Sequence, residues 1–220
     1  MFFPYGDDQV HGGHRPLVSY TFLALNIGVF LWQILEPGAG AFTMRYSAVP
    51  ADILAGRNLD TLVTSMFLHG GILHLLGNMV FLWIFADNIE STIGSLRFLL
   101  FYLLGGIAAT AAHIATDPFS PIPMLGASGA ISAVLGAYLV MYPKSRIKVF
   151  LLFLIFIPIR VPAVLFLGLW FYMQMTSGLG ALSGESGGVA WWAHVGGFVF
   201  GLASGFWMRS SIGYRRLRVR

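Results

Sequence analysis

The stretch MLGASGAISAVLGAYLVMY, Met124–Tyr142, runs for 19 residues without one charge. About 20 apolar residues in a helix cross the hydrocarbon core of a bilayer, so this run is expected to be a membrane crossing. Working outward, four further runs have that length and character: Leu17–Glu36, Leu62–Ala86, Phe98–Thr116 and Trp191–Met208. The stretch Val149–Gly180 is interrupted by Pro158, Arg160 and Pro162. A charge at mid-bilayer costs roughly 2.5 kcal/mol or more, and Val149–Ile157 alone is too short to cross. Val149–Arg160 is therefore expected to lie along the inner surface, with Val161–Gly180 as the fifth of six crossings. The predicted fold is all-α, a polytopic bundle of six transmembrane helices over residues 17–208. A short cytoplasmic tail (1–16) precedes it and a basic cytoplasmic tail (209–220) follows.

Composition agrees with that reading. Of 220 residues, 57% are hydrophobic and 10% charged, where a soluble domain carries about 25% charged residues. A soluble core of this length has no room for so much apolar surface, and a disordered chain has the opposite bias. The absence of cysteine excludes disulfides, a thiol nucleophile and thiolate metal sites. With the N-terminus inside, 11 of the 13 Lys and Arg residues fall on inner segments, and only Arg45 and Arg57 fall outside. The net charge of +4 thus reads as orientation by the positive-inside rule and not as nucleic-acid binding. The first run is too long for a cleaved signal peptide and has no obvious cleavage site. Outside, Pro37–Asp60 is a long, partly apolar loop, and the Gly- and Ser-rich Thr176–Gly188 is expected to be a mobile one.

Ionisable and strongly polar side chains inside apolar runs are expensive, so each deserves a functional reading. The set is His69, His74, Asn78, His113, Ser128 and His194. His74 and Asn78 are four apart and share a helix face. Ser128, in Gly126-Ala127-Ser128-Gly129, is expected roughly 6 Å inside the outer end of the fourth crossing, at 1.5 Å per residue. His194, in Ala193-His194-Val195-Gly196-Gly197, comes in from the same side to a similar depth. For His74 to reach that level its helix must begin near Gly70-Gly71, leaving Leu62–His69 to an embedded outer loop. Gly197, Gly201 and Gly205 form one small-residue ladder and Ser128, Ser132 and Gly136 another, so two helices can approach closely. A lone serine among Gly and Ala in a membrane helix is most often packing, and a lone histidine most often bonds a nearby carbonyl. What favours chemistry is the coincidence of nucleophile, base and oxyanion-donor types at one level. His69 and His113 are read as structural.

At these residues the sequence resembles the rhomboid family of intramembrane serine proteases. The resemblance rests on Ser65–Gly71 with His74–Asn78, on Gly126–Ala130 and on Ala193–Gly197, in the family's order, and it extends over roughly Leu17 to Met208. It implies a six-helix bundle whose active site opens to the outside. Ser128 would be the nucleophile and His194 its general base and acid, a dyad with no acidic third member. His74 and Asn78, with the Ser128 backbone N–H, would be the oxyanion donors. Glu90 matches a structural acidic position, and Gly197 and Gly201 match glycines that let the sixth helix pack on the fourth. Two positions depart from the family. Asp60-Thr61 stands where many members carry Trp-Arg, and Ser132 stands where some place an aromatic ring under the histidine.

The implied function is an intramembrane serine endopeptidase cutting transmembrane segments near the outer bilayer face, with no cofactor or metal. By resemblance, its partners would be single-span membrane proteins, among membrane lipids, in a bacterial plasma membrane. The alternative is a catalytically inactive rhomboid-like scaffold that binds membrane-protein clients. Zinc and aspartyl intramembrane proteases need a His-Glu-x-x-His helix or two intramembrane aspartates. The chain has no such string, and no expected crossing holds an aspartate. A transporter would need polar residues across the midplane, and these are too few.

Overall fold

A computed structural model describes residues 2–8, 13–152, 156–182 and 189–211. A short strand, β1 (Phe2–Gly6), precedes the first long helix, α1 (Leu17–Leu35). The outer loop that follows holds α2 (Ala39–Tyr46), α3 (Pro50–Leu54), α4 (Thr61–Thr64) and a 3-10 turn at Ser65–Phe67. Then come α5 (Ile72–Ile93), α6 (Ser95–Thr116) and α7 (Ser128–Met141). A hairpin, β2 (Arg146–Leu152) and β3 (Phe156–Pro162), leads into α8 (Ala163–Leu182) and α9 (Trp191–Ser211).

The chain is a multi-pass helical membrane bundle. By length and composition, α1, α5, α6 and α8 each suffice to cross a membrane. Helix α7 is apolar but has 14 residues, about 21 Å at 1.5 Å per residue against a core of ~30 Å. It is the central element, continuously buried from Ala130 to Tyr138. Helices α1 and α8, by contrast, bury only narrow stripes. A helix enclosed on all sides must admit neighbours at close range, which explains its Gly, Ala and Ser content.

The second crossing starts at Ile72 and not at Leu62, with α4 and the 3-10 turn taking the preceding residues. It also runs on to Ile93, so Asp87, Asn88 and Glu90 lie on the helix and Asp87 enters a crossing expected to hold no aspartate. Gly94 then turns the chain into α6 in one residue, at φ +84° and beneath the His14 ring. Glu90 is fully buried. Its carboxylate accepts from Val18 N–H (2.8 Å), Ser19 N–H (2.6 Å), Ser19 Oγ (2.7 Å) and Ser95 Oγ (2.6 Å). One acid therefore satisfies orphan donors at the start of α1 and holds the first residue of α6.

Beside the helices stands a three-stranded antiparallel sheet in the order β1-β2-β3. The stretch expected to lie along the inner surface is thus mostly a hairpin. Its alternation shows why: Ile147 and Val149 are buried against the bundle while Arg146 is exposed, the period-2 pattern of a half-covered sheet. The first residues are likewise no free tail. Asp7 is buried, accepts from Asn88 Nδ2 at 2.6 Å and bonds the Tyr138 hydroxyl, which also meets Ser145 Oγ at 2.8 Å. Outside, α8 continues through Thr176–Leu182, where a loop was expected; its glycines are tolerated because helical bonds satisfy the backbone locally. The rest of that loop, 183–188, lies outside the described residues. Of the basic tail, Arg209–Ser211 extends α9 and residues 212–220 lie outside the described residues.

Candidate active site

Ser128 is the first residue of α7, not a turn inside it as expected. Pro121, Pro123 and Gly126 keep the preceding chain out of a helix, and Gly126 has φ +124°. The Ser128 N–H therefore has no acceptor within its own helix and is a free donor at a helix N-terminus. His194 sits in the first turn of α9. Its Nε2 lies 2.8 Å from Ser128 Oγ, within the reach that a nucleophile–base pair requires. Both residues are half-buried.

The seam between α7 and α9 sets that distance. A Cβ on Gly197 would strike the Gly129 carbonyl, and one on Gly201 would strike the Ala133 carbonyl. From the other side, a Cβ on Gly136 would strike the Phe198 carbonyl. The helices touch backbone to backbone, and Ser128 and His194 stand at the outer end of this contact. Ser132 does not carry a ring to the histidine; its hydroxyl donates to the Ser128 carbonyl at 2.6 Å. The rings beside His194 come from elsewhere, Trp170 of α8 at 6.2 Å and Trp191 of its own helix at 6.1 Å between centroids.

His74 and Asn78 meet the same place from α5. A Cβ built on Gly126 would lie 2.8 Å from His74 Nε2 and 3.7 Å from Asn78 Nδ2, so both side chains converge beside the residue two before the serine. The Gly70 N–H donates to His74 Nδ1 at 3.3 Å, which assigns the ring proton to Nε2, the atom facing Gly126. Asn78 Nδ2 is buried without a hydrogen-bond partner. Two donors thus lie beside one backbone position, an arrangement able to stabilise negative charge developing there.

The outer loop is fastened without a Trp-Arg pair. Arg45 bonds Asp60 at 3.0 Å, and Thr64 Oγ1 donates to the Tyr46 carbonyl at 2.9 Å. Gln33 of α1 donates to the His69 carbonyl at 2.9 Å and accepts from the His69 N–H at 3.2 Å. The Gly126 N–H donates to the Ser65 carbonyl at 2.9 Å, tying the loop to the serine segment. Further out, two bonds from Arg57 hold the Asp52 carboxyl below its usual range. His69 is buried in this loop, its ring 5.2 Å from that of His74. His113, on the last turn of α6, is half-buried, and it makes no hydrogen bond to Ser128 or His194 among the described residues.

Sequence reading passed over Gln33, which bonds the loop, and, at the histidine itself, one further residue. Gln174 of α8 is buried, and its Oε1 lies 2.7 Å from His194 Nδ1. The rule that singled out His74 and Asn78, a strongly polar side chain inside an apolar run, applies equally to Gln174.

A membrane-embedded bundle with a hydrogen-bonded serine–histidine pair beside two converging donors has the parts of a serine hydrolase. The chain belongs to the rhomboid family: the Rhomboid domain family model matches residues 57–211. It is 38% identical over 141 residues to Rhomboid protease GluP of Bacillus subtilis, covering 62% of this chain and 27% of that one. Similarity to Rhomboid protein 1, mitochondrial, of Saccharomyces cerevisiae is 26% over 212 residues, 93% of this chain and 57% of that one. Presenilin-associated rhomboid-like protein, mitochondrial, of Homo sapiens is 31% identical over 136 residues, 59% and 34% of the two chains. The chain therefore spans between about a quarter and somewhat over half the length of these relatives. The relatives thus comprise a named bacterial protease and mitochondrial rhomboid and rhomboid-like proteins.

Proposed function

We propose that the chain is an intramembrane serine endopeptidase. The observation that carries this is the 2.8 Å bond between Ser128 Oγ and His194 Nε2, with the His74 and Asn78 donors converging beside Gly126. A substrate helix unwinds near the outer bilayer face and offers an extended peptide bond to Ser128. Ser128 Oγ attacks the carbonyl carbon as His194 Nε2 takes its proton. The carbonyl oxygen becomes an oxyanion that accepts hydrogen bonds from His74, Asn78 and the Ser128 N–H. As the C–N bond breaks, His194 gives the proton to the departing amine, leaving an acyl ester on Ser128. Water then attacks the ester, His194 accepts its proton and returns it to Ser128 Oγ, and the new carboxyl end departs.

The half-buried placement of Ser128 and His194 supports a site that water and an unwound peptide reach from outside. The narrow buried stripe of α8 supports substrate access beside that helix. By family resemblance the substrates are single-span membrane proteins with helix-loosening residues and a small residue at the cut. Basic residues on the inner segments support termini on the inner side of the membrane; the relatives are bacterial and mitochondrial alike and do not single out a bacterial plasma membrane.

Reconstituted protein is expected to cleave a single-span reporter and to react with a fluorophosphonate probe, with both activities abolished by Ser128→Ala. Labelling that persists in the variant, or no labelling of the unaltered chain, would favour the scaffold reading.

A further inference from the structure

Serine–histidine chemistry works in one direction only if the histidine holds its proton on the correct nitrogen. Nε2 must offer a lone pair to the Ser128 hydroxyl, so Nδ1 must carry the hydrogen and needs an acceptor. Among the described residues no carboxylate bonds the His194 ring; its two ring bonds go to Ser128 and to Gln174. Asp7 and Glu90, both buried acids, are bonded at the inner end of the bundle.

From this geometry we infer that Gln174 is the positioning residue of His194, its Oε1 accepting the Nδ1–H so that Nε2 faces Ser128 as a base. The inference rests on the protease reading only for its effect on turnover; the hydrogen bond itself stands apart from it. Gln174 occupies the one buried stripe of α8, with Ala163, Leu167 and Gly178. One turn further on, Gly178 lies 3.4 to 3.5 Å from the Trp191 and Trp192 side chains, measured from where a Cβ would be. Bare backbone there lets α8 seat against the start of α9, bringing a side chain 20 residues distant in sequence onto the imidazole. One turn earlier, Trp170 flanks the same ring. Helix α8 thus supplies both a ring and an acceptor for the histidine, whose other ring nitrogen bonds Ser128 of α7.

An amide differs from a carboxylate in having two ends. With Oε1 toward the ring, His194 is a base; with the NH₂ group toward the ring, Nδ1 would have to accept and Nε2 would donate to Ser128, an incompetent arrangement. The orientation of one amide therefore selects the tautomer. Gln174→Met keeps length and burial but removes the acceptor; Gln174→Glu keeps an acceptor and removes the donor.

The test uses the full chain in lipid nanodiscs, with 15N-histidine spectra and a fluorogenic single-span peptide carrying a small residue at the cut. In the unaltered protein His194 is expected to show a protonated Nδ1 and an unprotonated Nε2. In Gln174→Met this tautomer loses its dominance and kcat falls about 10- to 100-fold with KM within twofold, part of the ~10²–10⁴ that a general base contributes. In Gln174→Glu kcat stays within threefold of the parent and the Nδ1–H proton moves downfield. An unchanged tautomer or unchanged kcat in Gln174→Met overturns the inference, as does an unmoved Nδ1–H in Gln174→Glu should the Met variant fail to fold. The spectra need no turnover. If the unaltered chain neither cleaves nor labels, the protease reading fails and the spectra still decide the role of Gln174.

Discussion

Asn78 and Gln174 are both buried amides on membrane helices, yet only the first was picked out from sequence. Asn78 stood in a motif, four residues after a histidine. Gln174 stood alone among apolar neighbours, and its meaning depends on a partner on another helix. Sequence therefore made Ser128, His194, His74 and Asn78 legible, but not the side chain that bonds the His194 ring from α8, because one-dimensional spacing is silent on which stripe of α8 faces inward. The unpartnered Nδ2 of Asn78 also makes a residue-scale prediction. Asn78→Ala removes a donor aimed at the developing oxyanion and is expected to lower kcat about 10²–10³-fold. Fluorophosphonate labelling should slow as well, while thermal stability holds, because the lost amide satisfied nothing in the resting protein. A large drop in melting temperature with unaltered kcat would assign Asn78 to packing.

At the scale of elements, the α7–α9 seam is the part on which site geometry depends. A Cβ on Gly201 collides with the Ala133 backbone, which no rotamer change relieves. Gly201→Ala is expected to cost about 1–3 kcal/mol, the usual penalty for overpacking, and to reduce cleavage by loosening the Ser128–His194 bond. Gly28, on α1, has nothing within 4 Å of a built Cβ. Gly28→Ala should therefore be neutral or slightly stabilising, since alanine is the better helix former. Thermal unfolding of both variants in one detergent checks the contrast. The glycine spacing was readable because close approach in lipid demands small residues at every fourth position. The hairpin was not. Its apolar run, broken by two prolines and an arginine, matches neither a crossing nor an isolated strand, and its period-2 signal was outweighed by overall hydrophobicity. The start of α7 was displaced for a related reason: Gly126 and Ala127 extend the apolar run in sequence, but Gly126 adopts a backbone that no helix contains.

Over the whole molecule, polar groups collect at two ends. The outer end holds the serine, the histidines and the loop bonded through Gln33; the inner end holds Glu90, Asn88, Tyr138 and Asp7. Asp7→Ala would leave the Asn88 amide without that carboxylate acceptor inside a buried network, a loss of about 1–3 kcal/mol. Because this network lies at the other end of α7 from Ser128, kcat per folded molecule is expected to be unchanged. Thermal unfolding with parallel cleavage assays checks both halves; a fall in kcat without a fall in stability would mean the two ends communicate. Composition alone had placed the chain in a membrane, and the positive-inside bias gave an expected orientation. It gave no sign that the first residues pack into the bundle, since FFPYGDD reads locally as a polar-ended tail.

The sheet order β1-β2-β3 also bears on biogenesis. β1 is translated early, but its neighbour β2 begins at Arg146. At ~5–20 residues per second the ribosome needs roughly 7–30 s to make the intervening chain. Throughout that interval α1, α5, α6 and α7 are made, while the first strand waits with an open edge. Closure of that end is then a late step of assembly, although it uses a strand that precedes every helix of the bundle.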